Sequence, residues 1–174
     1  MAIDITPCSA TFRPATAADA DAILELYEAL SAESRYNRFF CATPRYDRAL
    51  VSFLTDVSSS IVWLAFDGER CVGEARVTTS ARDGRGDLAV VVADDHRGRG
   101  LGRRLSKLAV RDYLRHTEFV TFSILPTNRA AVRLARRSGM GLKWADGTLD
   151  GVIQRRVPAM APVPHASAAV GVAA

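Results

Sequence analysis

Arg97, Gly98, Arg99, Gly100, Leu101 and Gly102 set three glycines at alternate positions among arginines, directly after an apolar run and directly before a helical pattern. A strand that ends in such a turn and feeds a helix N-terminus aims several unpaired backbone N–H groups, and the positive end of the helix dipole, at one point. Glycines without Cβ atoms let the main chain approach a ligand closely, and Arg97 and Arg99 add formal charge. The chemistry this serves is the binding of a phosphate or pyrophosphate. A P-loop would need G-x-x-x-x-G-K-S/T, which is absent. A dinucleotide turn would need G-x-G-x-x-G, and Arg103 stands where its third glycine belongs.

The charge supports an anionic ligand. Between positions 97 and 115 the chain carries Arg97, Arg99, Arg103, Arg104, Lys107, Arg111 and Arg115 against Asp112 alone, within a net charge of +4. No aromatic stacking motif accompanies these arginines, so nucleic acid is not an expected partner. The three cysteines (Cys8, Cys41, Cys71) and three histidines (His96, His116, His165) are scattered, with neither C-x-x-C nor H-E-x-x-H spacing. No metal site is expected.

The elements that must position the glycine loop are legible from period and punctuation. Thr11-Phe12-Arg13 reads as a short strand, and Thr16 to Asp19 as a capping-box start to a helix carrying Ile23, Leu24, Tyr27 and Leu30. Pro44 opens a second helix with Leu50, Phe53 and Leu54. Ile61 to Phe66, Cys71 to Thr79 and Leu88 to Ala93, separated by Asp67-Gly68 and a Gly-rich spacer, predict an antiparallel meander. The continuous apolar run Leu88 to Val92 predicts a strand buried on both faces. Leu101, Leu105 and Leu108 stripe the helix after the loop, which is expected to run to about Arg115. Phe119 to Leu125 is strand-like, and Thr127 precedes a helix ending at Gly139, which implies a parallel crossover. Leu142 to Trp144 and Gly151 to Val157 are expected to close the sheet as a hairpin.

A chain of 174 residues, 48% hydrophobic and 24% charged, suits one globular domain with its own core. That domain is expected over residues 11–157, after a flexible N-terminus (1–10) and before a disordered Ala/Pro-rich tail (158–174). No run reaches the ~18 apolar residues of a membrane span, so a soluble, cytoplasmic protein with no membrane partner is expected, as monomer or homodimer.

Arg97-Gly98-Arg99-Gly100-Leu101-Gly102, in this setting, resembles the Q/R-x-x-G-x-G/A motif of the GNAT superfamily of N-acetyltransferases. The resemblance implies an α/β (α+β) GNAT fold: a central mixed, mostly antiparallel, twisted sheet of six to seven strands flanked by about four helices. It implies acetyl-CoA as co-substrate and an amine as acceptor. Residues Arg97 through Arg103 would wrap the pyrophosphate, with Arg103, Arg104 or Lys107 near the adenosine 3′-phosphate. Val90, Val91 and Val92 would lie along the pantetheine, Val91 or Val92 offering the backbone N–H that polarises the thioester. Asn128 matches the asparagine that opens the family's fourth helix and contacts the cofactor. Ser31 to Phe40 further resembles the L-S-x-x-S-x-Y-x-R-F-F signature of Pat-type protein-lysine acetyltransferases, which implies a protein lysine as acceptor.

Acetylating an amine requires an unprotonated nucleophile, and a free lysine of pKa ~10.4 offers only about one molecule in a thousand at neutral pH. Where the family commonly carries a glutamate base, this chain has Asp87, one methylene shorter, so a bridging water is expected; Glu74 and Glu33 are alternatives. Where many members carry a tyrosine acid, this chain has Ala135, which leaves a water, Ser138 or release as a thiolate. Two other readings of function follow: acetylation of a small-molecule amine, and a catalytically weak acetyl-CoA-binding regulatory module.

Overall fold

The computed structural model describes residues 10–42, 44–55, 60–80 and 84–155, less the side chains of Leu50, Phe53 and Leu54. The expected flexible N-terminus (save Ala10) and the expected tail lie outside the described residues. In chain order the elements are β1 (Thr11–Pro14), α1 (Ala20–Glu28), α2 (Ala32–Phe39), α3 (Arg48–Thr55), β2 (Ser60–Asp67), β3 (Arg70–Thr79), β4 (Gly86–Val92), α4 (Leu101–Tyr113), β5 (Phe119–Ile124), α5 (Arg129–Arg137), β6 (Lys143–Ala145) and β7 (Thr148–Gln154). The strands form one sheet in the order β1-β2-β3-β4-β5-β7-β6. Every pairing is antiparallel except β4 with β5, which is parallel because α4 crosses between them.

Side-chain alternation along β3 and β4 defines the two faces. Glycine 73 points at Leu105 of α4, and Val90 and Val92 lie beside Gly102, so this set faces α4. The opposite set, Glu74, Arg76 and Thr78 on β3 with Asp87, Ala89 and Val91 on β4, faces α1 to α3 through the pairs Glu74↔Val91, Arg76↔Ala89 and Thr78↔Asp87. One large core holds both layers over β1 to β4, from Ile23 and Tyr27 through Leu64 and Val77 to Leu105 and Ala109. A second, smaller core of Phe122, Ile124 and Ala135 joins α5 to β5. The boundary between the two cores falls at the β4–β5 junction.

The segment Ser31 to Phe40, for which no helical period is evident in the sequence, holds the helix Ala32–Phe39. Ser31 caps α2 by accepting the Ser34 backbone N–H, and Phe40 ends it in the left-handed region at φ 55°. The apolar period that marks α1 is missing here, because α2 buries only Ser34 fully and turns most of its surface outward or to the site. The closing hairpin turns at Asp146 and Gly147, both at positive φ (44° and 86°), and β7 starts at Thr148, earlier than the expected Gly151.

Candidate functional site

The sheet opens where the glycine loop closes it. Strand β4 pairs with β5 only through Gly86↔Val120 and Asp87↔Thr121, although it stays paired with β3 as far as Val92. Beyond Asp87 the two parallel strands part, and the β5-facing edge of Leu88 to Val92 has no strand partner. Unpaired edge N–H and C=O groups need a partner from elsewhere. A cleft of about 750 Å³ fills the opening. Leu88, Ala89 and Val90 line one wall, Phe122 to Ile124 the other, and Asp87 lies at the apex.

The loop and α4 form the cationic side. Gly98 and Gly100 have φ of 78° and 82°, and a Cβ at either would meet nothing within 4 Å, so they serve backbone conformation and an open approach. Gly102 differs: its missing Cβ would touch Val92, Leu134 and Val90 at 3.7–3.9 Å, between β4 and α5. Arg103, Lys107 and Arg111, spaced one helical turn apart, line the cleft with Ser106 and Val110. Arg104 is not with them; its guanidinium lies 4.2 Å over the Phe12 ring. Arg97 reaches away too, donating to Ser34 Oγ at 2.5 Å and pairing with Asp94 at 3.2 Å, while Arg99 donates to the Asp95 carbonyl. Among Val90, Val91 and Val92, only Val90 contributes to the cleft lining, and Val91 is buried. Asn128 lines the cleft and caps α5, its Oδ1 accepting from Ala131 N–H at 3.1 Å. Ala135 and, one turn on, Ser138 continue that wall.

On the α1–α3 side of Asp87 stands a polar cluster centred on Glu74, whose partners Arg76, Arg38 and Tyr27 carry no sequence motif. Glu74 is fully buried, with Oε1 bound by Arg76 Nε (2.8 Å) and Nη2 (2.6 Å). Its Oε2 accepts from the Tyr27 hydroxyl at 2.5 Å and from Arg38 at 3.4 Å. Burial alone would push this carboxyl up, but the charges of Arg76 and Arg38 and the Tyr27 hydroxyl hold it below its ordinary range. Both Glu74 oxygens are thus engaged, and Glu74 does not line the cleft. Glu33 is exposed on the first turn of α2 and does not line the cleft. Two charges at i and i+2 inside the apolar run Val72 to Val77 were the available signal for this cluster, since period 2 puts both on one face.

Asp87 has no such partners. Among the described residues no donor bonds its carboxylate; partial burial raises its pKa, Arg38 opposes the rise and Asp150 adds to it. Among the described residues, Asp87 is the only carboxylate that lines the cleft.

Asp94 ties α2 to the loop. It accepts from Ser31 N–H (2.9 Å), Ser31 Oγ (3.2 Å) and Ser34 Oγ (2.5 Å), and it pairs with Arg97. Burial would raise its pKa, but these donors and Arg97 lower it overall. Asp94→Ala is expected to destabilise the fold by about 1–2 kcal/mol in urea titrations. The lowered folded pKa fixes the sign: the contribution is full above the unfolded value of about 3.9 and fades as pH falls through the folded one, so the difference from wild type should shrink in acid.

Comparison with known proteins agrees with this geometry. Residues 23–140 match the model of the "Acetyltransferase (GNAT) family". The structure resembles the GNAT domain of S. lividans PAT, with 26% identity and a TM-score of 0.73 over 84% of this chain and 90% of that one. It also resembles yncA, a putative acetyltransferase from Salmonella typhimurium solved with its cofactor acetyl-CoA (20% identity, TM-score 0.71, 88% and 99% covered). The PaiA N-acetyltransferase from Thermoplasma acidophilum, solved with coenzyme A, is a third neighbour (12% identity, TM-score 0.70, 84% and 99% covered). A family match across most of the chain and a sheet parted beside a glycine-rich helix start lead to one assignment: this chain belongs to the GNAT family of acetyltransferases.

Proposed function

We propose that the protein transfers the acetyl group of acetyl-CoA to a primary amine by direct attack in a ternary complex, with Asp87 as base. The observation that carries this reading is the parting of β4 from β5 immediately beyond Asp87, next to the glycine loop. The site fits the co-substrate. The free edge of Leu88 to Val92 suits the amide-bearing pantetheine arm, the Gly98–Gly100 turn suits the pyrophosphate, and Arg103 and Lys107 suit the 3′-phosphate. Asn128 retains its amide N–H groups for the same ligand while its oxygen caps α5.

When bound, acetyl-CoA supplies a thioester carbonyl open to attack. The amine nitrogen forms the C–N bond, the C–S bond breaks, and the amine proton passes to Asp87, directly or through a water. Backbone N–H groups at Val91 or Val92 stabilise the developing oxyanion. With Ala135 in place of an acid, the α4 and α5 N-termini favour departure as a thiolate, and Ser138 is the α5 hydroxyl in the lining.

For the acceptor, the Pat-type segment and the 26% identity to S. lividans PAT support a protein lysine. A small-molecule amine is supported by a separate observation: a cavity of about 230 Å³ opens beside Asp87 under α2 and α3. Free-thiol release from acetyl-CoA, followed with lysine peptides, whole-cell protein and a panel of small amines, tests the reading. Turnover with an amine acceptor is expected; binding of acetyl-CoA with no thiol release from any amine up to high pH would sink it in favour of a regulatory module.

A further inference from the structure

The 230 Å³ cavity shares Arg38, Phe39, Asp87 and Ala89 with the main cleft, so it is where the part of the acceptor beyond the reacting amine must go. Its lining is the reverse of what a cationic acceptor needs. Arg38, Arg45 and Arg76 line it with Thr78, and Asp87 is the one carboxylate among the described residues of its lining. Among the described residues of this lining, counting Glu74 bound to Arg76 and Arg38, guanidiniums outnumber carboxylates three to two.

Two of these guanidiniums are also short of partners. Arg76 is 3% exposed, and its Nη1 has no hydrogen-bond partner although Nε and Nη2 are bound to Glu74. Arg38 bonds Tyr27 and Glu74 through Nη2, and its Nε is likewise buried and unpartnered. Buried cationic N–H groups without acceptors are costly, and an oxyanion that reaches them after a side-chain movement removes that cost. The register sets the layout: Arg76 lies opposite Ala89, whose small side chain leaves room, one same-face step along β4 from Asp87. An anion at Arg76 therefore lies on the same sheet face as an amine at Asp87, one cross-strand pair away.

We propose that the acceptor is a small amino acid, whose carboxylate is read by Arg76 and Arg38 while its amine faces Asp87. This rests on the acetyl-transfer reading of the same site. A zwitterion adds no net charge to a cavity whose described lining is already net positive, whereas a polyamine or a lysine side chain adds more. The aromatic wall of Tyr27, Phe39 and Tyr46, with ring centroids 5.0–5.4 Å apart, suits an acceptor with an apolar side chain.

The test pairs L-amino acids with their own carboxamides, which keep amine and side chain and lose the charge. The amide's amine is the more acidic and so more often unprotonated at neutral pH; intrinsic reactivity thus runs against the expected preference. Initial rates should give kcat/KM about 10- to 100-fold higher for the acids, as for one charged hydrogen bond. Arg76→Gln should erase that ratio, and exposed Arg45→Gln, which leaves the Glu74 cluster intact, should reduce it several-fold through KM. In parallel, calorimetry on the CoA-loaded protein compares N-acetyl amino acids with N-acetyl amino acid amides. Equal rates and equal binding for acids and amides, or faster labelling of lysines in whole-cell protein than of any amino acid, overturn the proposal and leave acetyl transfer standing. Tighter binding of the N-acetyl acids with no turnover of any amine upholds the carboxylate site and overturns catalysis at Asp87.

Discussion

Gly100→Asp abolishes acetyl-CoA binding, a loss of at least about a hundredfold in affinity, while the protein stays folded; this is the expected result of calorimetry beside a thermal melt. Gly100 sits at φ 82° as the N-cap of α4, with open space where a Cβ would go. Aspartate tolerates the left-handed region better than most residues and is a favoured N-cap, so the helix start accepts it. For the same reason its carboxylate satisfies the free N–H groups that a pyrophosphate needs and repels the anion besides. Gly100→Ala separates the two effects: it adds the Cβ and roughly 1 kcal/mol of backbone strain without charge, and should weaken binding far less. Gly102→Asp acts differently, since its side chain would press among Val92, Leu134 and Val90, so stability as well as affinity should fall. Wild-type affinity in a folded Gly100→Asp protein would refute the pyrophosphate role of the loop.

Asp87→Asn is expected to lower kcat by about 10²–10⁴-fold, the usual contribution of a general base, with acetyl-CoA affinity nearly unchanged. The pH profile carries the more specific signature. Because burial and Asp150 raise the Asp87 pKa against the pull of Arg38, and a base works only when deprotonated, the wild-type rate should climb with pH above the ordinary carboxylate range. Arg45 and Arg76, which line the same cavity, are the other charges facing it. A further rise tracks deprotonation of the acceptor amine. Asn removes the first limb and leaves the second. A variant whose profile superimposes on wild type across the whole range would take Asp87 out of the mechanism.

The glycine loop could be read without coordinates because its information is local. Three glycines between a strand and a helix start specify backbone geometry within a few residues, and the Asp67-Gly68 turn between β2 and β3 is equally local. Strand order around the crossover followed from the same punctuation, since a parallel neighbour needs a helix to return the chain. Ser31 to Phe40 escaped because α2 buries too little apolar surface to show a period, and its helix is set by the Ser31 cap and by Asp94, sixty residues away.

The motif resemblance, the strand meander and the turn proposed to bind an anion were therefore legible in short segments, whose signals mean much the same thing in any fold. Tertiary structure decided which charges do which work. The seven basic residues between 97 and 115 look alike in sequence, yet only Arg103, Lys107 and Arg111 line the cleft, while Arg97 is held by Ser34 and Asp94, and Arg104 by Phe12. Likewise Glu74 and Asp87 are both strand carboxylates until the register brings Arg76, Arg38 and Tyr27 to the first and leaves the second free at the point where β4 and β5 part. A carboxylate's protonation and availability depend on what other segments bring within a few ångströms of it, and that proximity is a property of the folded chain.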